Sequence, residues 1–237
     1  MPGPRRNART GARCSSQRQM RMRVLETSSL PMIACLDVCL NKHTFKPTRV
    51  LCLGLGSPSS SRDARAQLAY LMHTVKWLEI EHSRVTVCDP VFTDDDRALF
   101  DETGIIHIQP TELEHELALN QPTLLYMPHC DRDLYERVYA SNRSKRELGN
   151  LLLIGNELEA YATAGSKKEL EQKAQQILKI LPYLSSYLLP RSDAFYTAFQ
   201  GTSVQIVSVD AAPPEFWEHE EPEKIDSVEA QVDAHTV

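Results

Sequence analysis

The stretch RVLCLGLG, residues 49–56, decides the fold. Val50 to Leu53 form an unbroken apolar run, and the run ends on the glycine pair Gly54 and Gly56. A continuous rather than alternating run suits a strand covered on both faces. The glycines then predict a tight turn. Beyond it Leu68, Leu71, Met72, Val75 and Leu78 recur at the spacing of one helical face, with serines 59–61 as candidate N-caps. The unit is therefore strand, turn, helix.

Working outward, the same kind of run recurs as RVTVCDPV (84–91), GIIHIQP (104–110), TLLYMP (123–128), LLLIGNE (151–157) and TSVQIVSV (202–209). Between them lie segments mostly long enough for crossover helices. TELE (111–114) has capping-box spacing, Asp131 is placed to cap RDLYERVYAS, and Ser166 with Glu169 opens a pattern running through Leu170, Ala174, Ile177, Leu178 and Leu181 to Pro182. The alternation predicts an α/β fold: a Rossmann-like, doubly wound, mostly parallel sheet flanked by helices.

The flanks differ from this core. Every charged residue before Glu26 is an arginine, whereas Lys224 stands alone among eight acids after Pro214. This gives three expected segments: a basic, mostly disordered leader over 1–47 with a short helix on the domain edge, a domain over 48–210, and an acidic solvated tail over 211–237. The leader has the Arg and Ser content of a mitochondrial presequence but few large apolar residues for its amphipathic helix, so a solvated arm is the favoured reading. Net charge is −6, and no aromatic residue interleaves the arginines, which disfavours nucleic acid as a partner. PMIACLDVCL (31–40) is too short to span a bilayer. The six cysteines are dispersed, without disulfide or zinc spacing, which suits a reducing cytoplasm or nucleus and implies no metal.

In open parallel sheets ligands bind beyond the carboxyl ends of the strands. Four such ends carry chemistry here. Gly54, Gly56 and Ser57 could bring backbone N–H groups to an anion or ribose, yet Ser59 stands where a dinucleotide fingerprint has its third glycine, and a P-loop lysine is lacking. VLCLGLG also resembles the first motif of S-adenosylmethionine-dependent methyltransferases, with Cys52 where they carry Asp. Asp89 ends the second strand, where a carboxylate can hold ribose hydroxyls; alternatively it caps the Pro90 turn or, with Thr93, the next helix. His129 is a candidate acid or base, and Cys130 a candidate nucleophile if a helix N-terminus lowers its pKa; the alternative is a hydrogen-bonded histidine beside an inert cysteine. Asn156 can hold a ligand or a neighbouring strand end.

The ordered set CLGLGSPSSSRDARAQLAYLM, VTVCDPVFTDDDRALF, TLLYMPHCDRDLYERVYASN and LLLIGNELEAY resembles the Sensitivity to Red Light Reduced family, the SRR-like proteins, over residues 48–209. The shared positions are Gly54, Gly56, Ser57, Gln67, Asp89, Pro90, Pro128, His129, Cys130, Gly155 and Asn156, while Glu157 departs from the small polar residue expected there. This resemblance implies a regulatory protein linked to circadian clock regulation and control of haem biosynthesis, with no settled catalytic activity. It would act through a small ligand or a regulatory protein partner. The alternative is an enzyme using a nucleotide or S-adenosylmethionine, with His129 as acid or base. Haem is a further candidate ligand, through His129 and Cys130.

Overall fold

The computed structural model describes residues 29–163 and 167–217. The expected arginine arm, its presequence reading, the Ser166 cap and the acidic tail beyond 217 lie outside the described residues. Helix α1 covers 29–43. Then follow β1 (Arg49–Leu53), α2 (Arg62–Trp77), β2 (Val85–Cys88), α3 (Asp94–Thr103), β3 (Ile106–His107), α4 (Leu113–Leu117), β4 (Thr123–Met127), α5 (Arg132–Ala140) and α6 (Lys145–Gly149). The remainder is β5 (Leu151–Asn156), α7 (Leu158–Thr163), α8 (Lys167–Lys173), α9 (Gln175–Ile180), β6 (Leu184–Leu188), α10 (Tyr196–Phe199), β7 (Thr202–Val207) and α11 (Pro214–Trp217).

The strands form one seven-stranded sheet in the order β3-β2-β1-β4-β5-β7-β6. Six run in the same direction, β1 to β5 pairing in parallel, and β7 alone is reversed, antiparallel to both β5 and β6. The fold is the expected α/β, mostly parallel, helix-flanked sheet. Its continuous apolar runs are explained by burial on both faces: Val50 and Cys52 join Leu124, Tyr126, Leu152 and Ile154 on one side. Leu51 and Leu53 join Leu125, Met127, Leu151 and Leu153 on the other. Each such leucine is worth about 1.5–3 kcal/mol relative to leaving it exposed. The winding reverses between β1 and β4, so the switch point lies where the first and fourth strands leave the sheet.

Several local expectations need revision. The leader's last part is a core element, since Met32, Ile33, Leu36, Cys39 and Leu40 of α1 are buried in the first cluster. The tail begins with an anchor: Phe216 of α11 lies edge-on to Tyr183 at 5.2 Å between ring centroids. GIIHIQP supplies only a two-residue strand, because Gly104 closes α3 in a left-handed conformation and Pro110 opens a 3₁₀ turn. The capping box there is Gln109 with Glu112, not Thr111 with Glu114. The helix expected up to Pro182 breaks at Ala174 into α8 and α9. LSSYL, which is not among the six expected strand runs, is β6.

Candidate functional site

Ser61 caps α2 by accepting the Ala64 N–H at 3.3 Å, which fixes the length of the turn that follows β1. Within that turn Gly54 and Gly56 have φ of +66° and +73°. The need for glycine at 54 is steric as well as torsional, because an added Cβ would lie 2.3 Å from Cys130 Sγ. The thiol fills that space and donates to the Leu53 carbonyl at 3.2 Å. The exits of β1 and β4 are thereby packed directly together. Ser57 is buried, with Oγ 3.0 Å from Ser59 Oγ, and its carbonyl accepts from the Ser60 and Ser61 amides.

Asp89 is buried at the end of β2 and spends both oxygens on backbone. Oδ2 accepts the Gly56 N–H at 2.7 Å and Oδ1 the Val91 N–H at 2.9 Å. The second bond is the turn cap considered above; the first ties β2's exit to β1's. Asp96 completes the loop. Thr93 and Asp96 form a capping box at the start of α3, and Asp96 Oδ1 also accepts the Ser59 N–H at 2.7 Å. Burial alone would raise its pKa, but hydrogen bonds from Ser57, Thr93 and Ser59 outweigh that effect and bring it down to about 2. Two of the turn's amides, those of Gly56 and Ser59, are thus held by this chain's own carboxylates.

At the β4 exit His129 has φ +57°, a left-handed conformation uncommon outside glycine. Asn156 holds it there: its Oδ1 accepts the His129 N–H at 2.8 Å, while its Nδ2 donates to the Cys130 carbonyl at 3.1 Å and to the Tyr161 hydroxyl at 2.7 Å. The backbone of Asn156 is equally engaged, through Tyr135 Oη and Gln205 Nε2. The Tyr135 hydroxyl donates in turn to the Met127 carbonyl. The imidazole Nε2 of His129 lies 3.1 Å from the Ala198 carbonyl. A carbonyl only accepts, so Nε2 is the donor in this contact. Gln67 Nε2 donates to the same carbonyl at 2.9 Å.

The predicted site residues therefore share one rim but form two pairs, Gly56 with Asp89 and His129 with Asn156, separated by the packed Cys130 and Gly54. The surroundings of Cys130 favour the inert-cysteine alternative, since the thiol is buried and donates to the Leu53 carbonyl. Burial, with Asp89 and Asp131 adding to it, pushes the thiol up to about 12, the opposite of what a thiolate needs. Asp131 takes the N-cap position of α5 without a side-chain capping bond. With Cys130 Sγ buried and His129 Nε2 directed at the Ala198 carbonyl, a haem ligand at this exit would have to be His129 Nδ1. Sequence reasoning missed Asp96, Tyr135, Tyr161 and Ala198. The Thr93-x-x-Asp96 spacing was a readable signal for the first; the others carry none.

Cavities of about 330 and 180 Å³ lie elsewhere, one against Lys46, Thr48 and Arg84 at the amino ends of β1 and β2, the other between Tyr139, Ile180 and Phe216. Neither touches the rim residues. Among the described residues no group of three or more His, Cys, Asp or Glu is placed to hold a metal ion. No helix of these residues is long and apolar enough to cross a membrane.

Known proteins resemble this chain in sequence. The SRR1 domain matches residues 20–206. An SRR1-like protein of Mus musculus is 29% identical over 132 residues, covering 56% of this chain and 53% of that one. Protein SENSITIVITY TO RED LIGHT REDUCED 1 of Arabidopsis thaliana is 26% identical over 167 residues, with coverage of 69% and 60%. An SRR1-like protein of Drosophila melanogaster is 26% identical over 195 residues, with coverage of 79% and 67%. The chain thus spans between half and two thirds of the length of these relatives. A solved structure, the CmcI-N160 apo-structure, has a TM-score of 0.40 and 11% identity, covering 76% of this chain and 72% of that one. With the domain match extending over most of its length, the chain belongs to the SRR1 family.

Proposed function

We propose that this chain is a regulatory protein that acts by binding a small ligand or a protein partner at the carboxyl rim of its sheet. The observation that carries this reading is that the Gly56 and Ser59 amides are taken by Asp89 and Asp96. In nucleotide-binding folds such amides face the phosphate. Here an anionic cofactor would have to displace two carboxylates and face their charge. The plant relative's name connects that protein with red-light sensitivity. Circadian clock regulation and control of haem biosynthesis are the processes we assign to this chain by family membership, in cytoplasm and nucleus.

The alternative enzyme, using a nucleotide or S-adenosylmethionine with His129 as acid or base, makes a distinguishable demand. Asp89 would have to contact the cofactor, not only Gly56. Calorimetric titration with S-adenosylmethionine, nicotinamide dinucleotides, ATP and haem separates the two. The regulatory reading expects no saturable binding of these cofactors below millimolar concentrations. Saturable binding that Asp89→Ala weakens tenfold or more, while the folded state is kept, would establish the enzyme instead.

A further inference from the structure

The outer edge of β6 carries an arrangement of hydrogen-bonding groups that a second β6 completes. Leu189 N–H donates to the Thr202 carbonyl and Ser208 N–H to the Tyr183 carbonyl, so in the register that pairs Leu188 with Ser203 the odd-numbered residues of β6 face β7. The backbone groups of Leu184, Ser186 and Leu188 therefore point away from the sheet. Two of these groups are engaged locally: Leu184 N–H donates to Leu181 at the end of the preceding 3₁₀ turn, and the Leu188 carbonyl shares the Cys35 thiol with the Tyr187 carbonyl, each at 3.7 Å. Among the described residues, what remains at the edge is two donors, the N–H of Ser186 and of Leu188, and two acceptors, the carbonyls of Leu184 and Ser186.

We propose that this edge associates with the same edge of a second copy of the chain, antiparallel, about a two-fold axis through Ser186. In that register Ser186 N–H meets the Ser186 carbonyl of the other copy. Leu188 N–H meets its Leu184 carbonyl, and the two reciprocal bonds follow by symmetry. Each remaining donor and acceptor is used, and neither locally engaged group is asked for a second partner. The prolines agree with this axis. Pro182 and Pro190 lie four residues on either side of Ser186, so they face each other beyond the ladder; a shift by two residues in either direction sets one of them inside it, where it cannot donate.

The side chains point the same way. LSSYL carries neither charge nor proline, the usual protections of an exposed edge. Leu188, 60% exposed, shares a sheet face with Leu184 and would lie over the other copy's Leu184. Tyr187 points to the opposite face, where its hydroxyl meets His43 Nε2 at 3.0 Å, so α1 lies away from the Leu184 and Leu188 side. The association is isologous, as closed dimers require.

Ser186 is exposed and faces its own copy across the axis, which provides a charge-exchange test on the full chain. Sedimentation equilibrium is expected to show a concentration-dependent dimer. Ser186→Lys and Ser186→Asp are each expected to weaken it at least tenfold by placing like charges opposite one another, and an equimolar mixture of the two variants to associate again as a heterodimer. Circular dichroism confirms that the variants fold; if either does not, Leu188→Lys replaces it and is expected to weaken the dimer comparably. A chain monomeric at all attainable concentrations overturns the proposal, as does a dimer indifferent to these substitutions or two variants that fail to recombine. Strong hydrogen-exchange protection of the Ser186 and Leu188 amides in the dilute monomer overturns it too, since another segment of the same chain would then be covering the edge.

Discussion

Gly54→Ala, made alone and together with Cys130→Ala, tests whether the β1 and β4 exits are locked by the sulfur. The new methyl would sit 2.3 Å from Cys130 Sγ, where non-bonded contacts settle at about 3.5–4.0 Å. The sulfur must move by more than about 1 Å, or the strands must part. Overpacking of this kind costs about 1–3 kcal/mol, and holding alanine at φ +66° adds about 1–2 kcal/mol. The single variant should therefore lose about 2–5 kcal/mol. Cys130→Ala alone removes a weak hydrogen bond and a small volume, for about 1 kcal/mol. In the double variant the clash is gone and only the torsional cost persists, so the two changes should couple by about 1–3 kcal/mol in the stabilising direction. Urea unfolding followed by circular dichroism measures all four corners of the cycle. Additivity within about 0.5 kcal/mol would refute the packing account.

Four further outcomes follow from the rim. Because Asp96 titrates at about 2 when folded, below its unfolded value, its network should stabilise fully above the ordinary carboxylate range and fade as pH falls through about 2; Asp96→Asn should remove this share of the acid sensitivity in urea midpoints compared between neutral and acid pH. Asn156→Ala should cost about 2–4 kcal/mol, since it strips the acceptor from His129 and the donor from Cys130 together, and hydrogen exchange at residue 129 should accelerate. At His129, glycine should be better tolerated than valine by about 1–2 kcal/mol, the cost of a branched side chain in the left-handed region, as read from thermal melts. Cys130 should resist iodoacetamide at pH 8 in the native chain and react once unfolded, as peptide mass mapping would show; rapid native labelling would contradict its burial.

The sheet was legible because parallel strands buried on both faces have no polar alternation to blur them. Val50 to Leu53 and Leu151 to Ile154 could be nothing else at that length. β6 was not legible, for the opposite reason: as an edge strand with two serines it buries little, and its existence depends on β7. Helix α1 was obscured by its neighbours in sequence, since Met32, Leu36 and Cys39 face the core while the arginines before it dominate the local composition. At the site, sequence reasoning found the rim and most of the residues on it. It did not find their partners. Gly56 with Asp89, His129 with Asn156, and Gln67 with His129 at the Ala198 carbonyl are tertiary pairings over 27 to 131 residues, and no spacing rule encodes them.

Those pairings change what the family-like positions mean. GLGS, QLA, DP, MPHC and GN each look like a fragment of catalytic machinery when taken alone, yet in the folded chain most are one another's hydrogen-bond partners. A buried polar network of this kind has to be satisfied throughout, because a single orphaned group costs about 1–3 kcal/mol. Losing Asn156, for instance, orphans groups at both His129 and Cys130. The network therefore constrains residue choice without requiring any turnover. It also sets the terms on which something can bind at the rim. A ligand that takes the Gly56 amide must supply an acceptor as good as Asp89 and a counter-charge for the carboxylate it releases, whereas a partner bringing N–H or O–H donors can use the second lone pairs of Asp89 and leave the turn intact. At the Gly56 and Ser59 amides, the carboxylates already held there thus favour a partner that donates hydrogen bonds over a phosphate-bearing ligand.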